Sequence, residues 1–269
     1  MDKPIKQAFF NAIAEEFDVH VRQSIPHFGD FIRQLQTNII LWSNNRFCKK
    51  NQMTKVMDIC GSTGLFGANL IRKGYNGVYF NMDGSPEMCK ISEEFSAKLS
   101  NHFTIKAGFM ASWEDESGEF IPEYDSDESI KGIVDVVTEI LGFQFFTKDR
   151  LPQVLRVKNM LSPNGIAIFV EKFSNKDKYL WICNEDLKDE LWKSKFFTPE
   201  EIAAKKKNVL QDMGEYCYEY GEFTELLNDN FAHVVKIYHA GNFAGYACSD
   251  APFDYEDPQI WEDYCADVF

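Results

Sequence analysis

From Pro4 to about Phe47, apolar residues recur at three- and four-residue steps: Phe9, Ile13, Phe17 and Val21, then Phe31, Leu35, Ile39 and Trp42. That spacing lines one stripe of a helix, and the Ile25-Pro26 pair interrupts it, so two helices are predicted. From Lys55 the pattern shortens to β-branched or apolar runs: KVMDIC, VYFNMD, HFTIKAG, IVDVVTEI and GIAIFVEKF. These read as strands. Helical spacing returns over Ala68–Lys73, Pro86–Leu99 and Lys148–Leu161, and strands alternating with helices predict a mostly parallel sheet covered on both faces. Two further strand-like runs, HVVKIYHA and NFAGYAC, are separated by a glycine and predict an antiparallel hairpin at the sheet edge. The expected fold is therefore α/β and doubly wound, Rossmann-like, with seven strands and a helical N-terminal cover.

Two stretches depart from this rhythm. ASWEDESGEFIPEYDSDESI, before the fourth strand, is acidic and turn-rich and reads as a loop or insertion. Lys176 to about Met213 reads as inserted helices, with Thr198 as N-cap, Pro199 in the first turn and Glu200 and Glu201 behind it. The layout is an N-terminal helical cover over residues 1–50 and a main domain over 51–249 carrying the insertion at about 176–213. An acidic, aromatic tail over 250–269 follows.

Composition narrows the partners. A formal charge of −14 and a pI near 4.8 oppose a phosphate backbone, which is gripped mainly by Lys and Arg. Nucleic acid is thus an unfavoured partner, although tRNA stays open, and Lys205-Lys206-Lys207 reads as a solvated helix face. The seven cysteines are scattered without a CxxC pair, and the five histidines do not complete a zinc spacing, so reduced thiols and no metal are expected. The amphipathic N-terminus lacks the apolar core of a signal peptide and no eighteen apolar residues run together, so a cytoplasmic protein without a membrane span is expected.

The chemistry concentrates where the first strand ends. Val56-Met57-Asp58-Ile59-Cys60-Gly61-Ser62-Thr63-Gly64 carries an acid and then glycines into a helix. Gly61 and Gly64 suit positive φ and close approach of a ligand to the backbone. An ordinary strand-to-helix turn would show the same residues, and neither G-x-G-x-x-G nor a P-loop Lys-Ser/Thr is present. The second strand adds an acid, Asp83, about 20 residues after the loop, where a carboxylate accepts both hydroxyl protons of a ribose. Gly84 follows it. At the ends of later strands stand Glu139, Glu171 and Lys172, with Tyr179 and Tyr216 in the expected covering helices.

An apolar strand, acid and glycine loop followed by a strand-end acid resembles the class I S-adenosylmethionine-dependent methyltransferases. The resemblance extends to the carboxy-S-adenosylmethionine synthase-like branch through Arg22-Gln23-Ser24-Ile25-Pro26-His27-Phe28, Asp83-Gly84-Ser85-Pro86-Glu87-Met88, Phe143-Gln144-Phe145, Leu161-Ser162-Pro163-Asn164-Gly165 and Val170-Glu171-Lys172-Phe173-Ser174. It implies S-adenosylmethionine as cofactor, held by Phe28, Asp58, Gly61, Ser62, Gly64, Asp83, Gly84, Phe109, Met110 and Glu139. Glu139, Tyr216 and Lys207 are the catalytic candidates that go with it. Where the branch has an arginine for the carboxylate of the transferred group, Lys207 stands here, and lysine lacks the planar fork. Phe28 replaces a tyrosine near the methionine moiety, and Phe109-Met110 replaces the acid that meets the adenine. These departures rank methyl transfer to a small-molecule acceptor first and remodelling of S-adenosylmethionine itself, by carboxylation or cyclisation, second. A cofactor-binding partner protein without turnover ranks third. A homodimer is compatible with all three.

Overall fold

The structure, a computed structural model, describes residues 11–45, 47, 53–99, 105–109, 131–145, 149–206 and 217–253. Two N-terminal helices, α1 (Phe17–Ser24) and α2 (Phe28–Asn45), meet at the Ile25-Pro26 break, where the Tyr238 hydroxyl donates to the Pro26 carbonyl at 2.8 Å. A repeating unit follows: β1 (Thr54–Ile59), α3 (Leu65–Arg72), β2 (Gly77–Asp83), α4 (Pro86–Lys98) and β3 (Ile105–Phe109). The chain then returns through β4 (Val134–Ile140), α5 (Leu151–Met160) and β5 (Leu161–Lys172). Helices α6 (Lys178–Leu191) and α7 (Pro199–Lys205) occupy the expected insertion, and α8 (Tyr220–Asn230) leads into the hairpin β6 (His233–Ala240) and β7 (Phe243–Ser249). No pattern in the sequence had marked α8. Its buried Phe223 and Leu227 lie four residues apart, a signal too short to separate from the neighbouring tyrosines.

The strand order is β3-β2-β1-β4-β5-β7-β6, parallel through β5 and antiparallel in the last two pairings. Because β4 returns to lie beside β1, winding reverses there, and the crevice beyond the carboxyl ends of β1 and β4 is the ligand edge of such a sheet. Strand alternation sends Val56, Val136, Ile168 and Val170 to one face, under α2 and α3, while Met57, Val137, Ala167 and Phe169 meet α5 and α8 on the other. Stripe residues Phe31, Leu35, Ile39 and Trp42 of α2 are buried on the first face. At α7 the Thr198 side chain accepts from the Glu201 N–H and the Glu201 carboxylate accepts from the Thr198 N–H, a full capping box. No helix among the described residues is long and apolar enough to cross a membrane.

Candidate functional site

The turn from β1 into α3 is left-handed at Cys60 (φ 60°), Ser62 (φ 48°) and Gly64 (φ 73°), and Leu141, just past β4, has φ 63°. Side chains with a Cβ rarely adopt this region, at a cost of roughly 1–2 kcal/mol each, and such strain gathers at working sites. Three of the four non-glycine residues with positive φ among the described residues therefore sit at the sheet's carboxyl edge. Both loop glycines face inward. A Cβ on Gly61 would lie 2.0 Å from Asn81 Oδ1, and one on Gly64 would lie 2.4 Å from Ser92 Oγ. Their small size thus serves internal packing of the loop, in addition to leaving its outer side open.

Three acids frame this edge in different ways. Asp58 is buried, its Oδ2 accepting from Tyr79 and its Oδ1 from Thr138, each at 2.6 Å, so it ties β1 to both neighbouring strands. Burial pushes its carboxyl up to about 6, against the two hydroxyl donors. Asp83 ends β2 half-buried, with Oδ2 accepting the Ser62 N–H at 2.9 Å and Oδ1 the Ser85 N–H at 2.8 Å. Burial raises it to about 6, opposed by the Ser85, Ser62 and Gly84 N–H groups, so it is mostly charged at neutral pH. Glu139 is wholly buried: Oε1 accepts from the Gly142 and Phe143 N–H groups at 2.5 and 2.7 Å, while Oε2 has no hydrogen-bond partner. Burial first, and the neighbouring Glu171 second, push it well above the usual carboxyl range.

The N-terminal segment lies against the same loops. Thr63 donates to Asp18 of α1 at 2.8 Å, and Ser85 donates to Asn11 at 2.6 Å. At its other end α1 presents Ser24 and His20 to Lys205 of α7. Phe28 opens α2 and is buried among the core residues under the sheet. Gly84 is buried behind Asp83, and Phe109 pairs with Asp83 along β3, its side chain lying outside the described residues. Met110, Lys207 and Tyr216 also lie outside the described residues, as do the acidic loop and the tail beyond Phe253.

Glu171 and Lys172 are not exposed at the end of β5; both are buried, and as neighbours on a strand they point to opposite faces. Glu171 takes a bidentate pair from the buried Arg150, with Nε 3.0 and 2.9 Å from its two oxygens, while Lys172 pairs with Glu185 at 2.8 Å. The run Lys205-Lys206 is not uniformly solvated either, since Lys205 is half-buried against α1. Lysine spacing carries no signal of burial, because the partners come from distant segments. Tyr179 is the opposite case: it stands well exposed on α6.

No family model matches the chain. The carboxy-S-adenosyl-L-methionine synthase of Nautilia profundicola is 25% identical over 251 residues, covering 91% of this chain and 96% of that protein. Among solved structures, a Methanococcus maripaludis protein described as an S-adenosyl-L-methionine-dependent methyltransferase matches with a TM-score of 0.53 at 17% identity. That match covers 91% of this chain and 94% of the other. DszA carbon methyltransferase matches with a TM-score of 0.54 at 13% identity over 84% of this chain and 55% of its own. The chain is thus similar over nearly its whole length to the synthase and shares the fold of these S-adenosylmethionine-dependent methyltransferases.

Proposed function

We propose that this chain is an S-adenosylmethionine-dependent methyltransferase acting on a small-molecule acceptor. The observation that carries the reading is Asp83: a strand-end carboxylate, mostly charged at neutral pH, fixed by the backbone of the strained loop and only partly buried at the sheet's ligand edge. Two carboxylate oxygens held in this way fit the two hydroxyls of a ribose. Gly61 and Ser62 supply the adjoining backbone, Asp58 ties β1 to β2 and β4, and Glu139 holds the turn after β4. S-adenosylmethionine bound there would supply an electrophilic methyl on a sulfonium. The acceptor's lone pair would form the new bond as the carbon–sulfur bond breaks, leaving S-adenosylhomocysteine, with the acceptor's proton passing to water or a side chain. Holding the acceptor in line is the protein's main contribution to such a step. The charge of −14 favours a small acceptor over a nucleic acid.

A second reading, in which S-adenosylmethionine is itself the substrate, is favoured by the near full-length similarity to the synthase. Mass spectrometry of the purified protein incubated with S-adenosylmethionine, alone, with prephenate and with a metabolite extract, separates the two. Extract-dependent S-adenosylhomocysteine supports methyl transfer. A modified cofactor formed without an acceptor, or a carboxylated one with prephenate, overturns it in favour of the second reading.

A further inference from the structure

Beyond the end of β5, four lysines gather, with too few acids among the described residues to neutralise them. Lys172, Lys188 and Lys193 are 3%, 7% and 2% exposed, although lysine is seldom fully buried unless paired. The Lys172 and Lys188 ammonium groups share a single oxygen, Glu185 Oε2, at 2.8 and 2.6 Å. Lys193 lies 2.7 Å from Asp189 Oδ1, but the geometry makes no hydrogen bond, and Asp189 is shared with Lys206, which also reaches Asp186. Among the described residues, Lys205 touches neutral groups, the Ser24 hydroxyl at 2.7 Å, the His20 ring and the face of Phe197. Among the described residues, these four lysines thus face two carboxylates, Glu185 and Asp189, in a protein whose net charge is −14.

The electrostatic consequences agree with this imbalance. Burial and then the repulsion of Lys193 and Lys188 depress Lys205 to about 7, and burial and Lys172 depress Lys188 to about 8. His20 is held down to about 4 by burial, Lys205 and Lys193, and so stays neutral. Position completes the picture. Lys172 follows Glu171 at the carboxyl end of β5, on the ligand side of the sheet. Helix α1 runs between the glycine loop, which it meets at Asp18, and the lysines, which it meets at Ser24. Six residues of helix span about 9 Å, within reach of one small molecule.

We propose that Lys188, Lys193 and Lys205, backed by Lys172, form a receptor for an anionic group, a carboxylate or a phosphate, carried by the acceptor molecule. The assignment to the acceptor rests on the adjoining loops being the donor site. An anion placed here supplies the missing negative charge and the hydrogen-bond acceptor that the Lys193 ammonium lacks. Its charge favours the protonated form of Lys205, and no covalent step is involved.

The test is thermal unfolding of the full chain at neutral pH in sodium phosphate and in sodium malonate, each against sodium chloride at matched ionic strength. A saturating rise of about 2–3 °C at tenfold excess over the dissociation constant is expected in at least one of them, and the anion giving it identifies the group. That rise should persist in saturating S-adenosylhomocysteine, since the anion belongs to the acceptor. Lys193→Met and Lys205→Met should each lose it while binding S-adenosylhomocysteine within threefold of the parent by calorimetry. Lys205→Met, whose partners are neutral, should unfold in chloride at or above the parent temperature, which a purely structural lysine would not do. Absence of an anion-specific rise, its survival in the variants, or its competition by S-adenosylhomocysteine overturns the proposal. An anion effect in a protein that does not bind S-adenosylhomocysteine would instead overturn the donor reading and leave the receptor standing.

Discussion

Replacing Asp83 by alanine tests the donor site most directly. In the free protein the carboxylate accepts from the Ser62 and Ser85 N–H groups at 2.9 and 2.8 Å. Hydrogen bonds to a charged group contribute roughly 1.5–3 kcal/mol each. Burial outweighs them: with those bonds already counted, the carboxyl is lifted from 3.8 to about 6, a net cost of about 3 kcal/mol for the charged form at neutral pH by the linkage relation. Removing the carboxylate removes that net cost together with the two acceptors, so the Ala variant should remain folded, with stability within about 2 kcal/mol of the parent. Binding should change far more. Two charge-assisted bonds to a ribose diol are lost and water replaces them only in part, a loss of roughly 3–4 kcal/mol, which weakens the dissociation constant about 100- to 1000-fold. Calorimetric titration with S-adenosylhomocysteine reads the affinity and guanidinium unfolding reads the fold. A folded Asp83→Ala protein that binds within threefold of the parent would refute the assignment. The parent should also bind more weakly as pH falls through about 6, where protonation of Asp83 removes the charged acceptor.

Other outcomes follow from the buried groups. Arg150→Met leaves the buried Glu171 without its cation, and should cost about 3–5 kcal/mol in urea unfolding, with Glu171→Gln in the same chain restoring much of it. Asp58 has a folded carboxyl near 6 against 3.8 when unfolded, so its stabilisation is full below 3.8 and fades as pH rises through about 6. The deficit of Asp58→Asn relative to the parent should therefore shrink by about 2–3 kcal/mol between pH values of roughly 4 and 8, and a pH-independent difference would contradict this. Gly64→Ala meets both a positive φ of 73° and Ser92 Oγ at 2.4 Å, and should cost more than about 2 kcal/mol. Adding Ser92→Ala should recover the steric part but not the backbone part, as read by the unfolding midpoint.

Much of the edge that carries the site was legible along the chain. Asp58, the glycine turn, Asp83 and Glu139 were found because strands end where apolar runs end, and parallel strands bring their carboxyl ends to one side of the sheet. What each acid does there was not legible. Asp58 and Glu139 look alike in sequence, as acids closing apolar strands, yet one bridges Tyr79 and Thr138 while the other caps the turn at Gly142 and Phe143. Only Asp83 is left partly exposed at the edge. The partners that decide this lie on other strands or beyond a turn, and single-chain periodicity carries no record of them.

The sequence by itself determined the alternation of strand and helix, the break at Ile25-Pro26, the cap at Thr198 and the edge hairpin, because these follow from local spacing, proline geometry and short-range hydrogen bonding. Tertiary structure alone decided that Arg150 would be buried on Glu171 and that Lys172, Lys188, Lys193 and Lys205, up to 33 residues apart in sequence, would converge behind α1. Charged residues at such separations read as surface in any local window. Their desolvation and mutual repulsion exist only once β5, α6, α7 and the N-terminal helix have packed together.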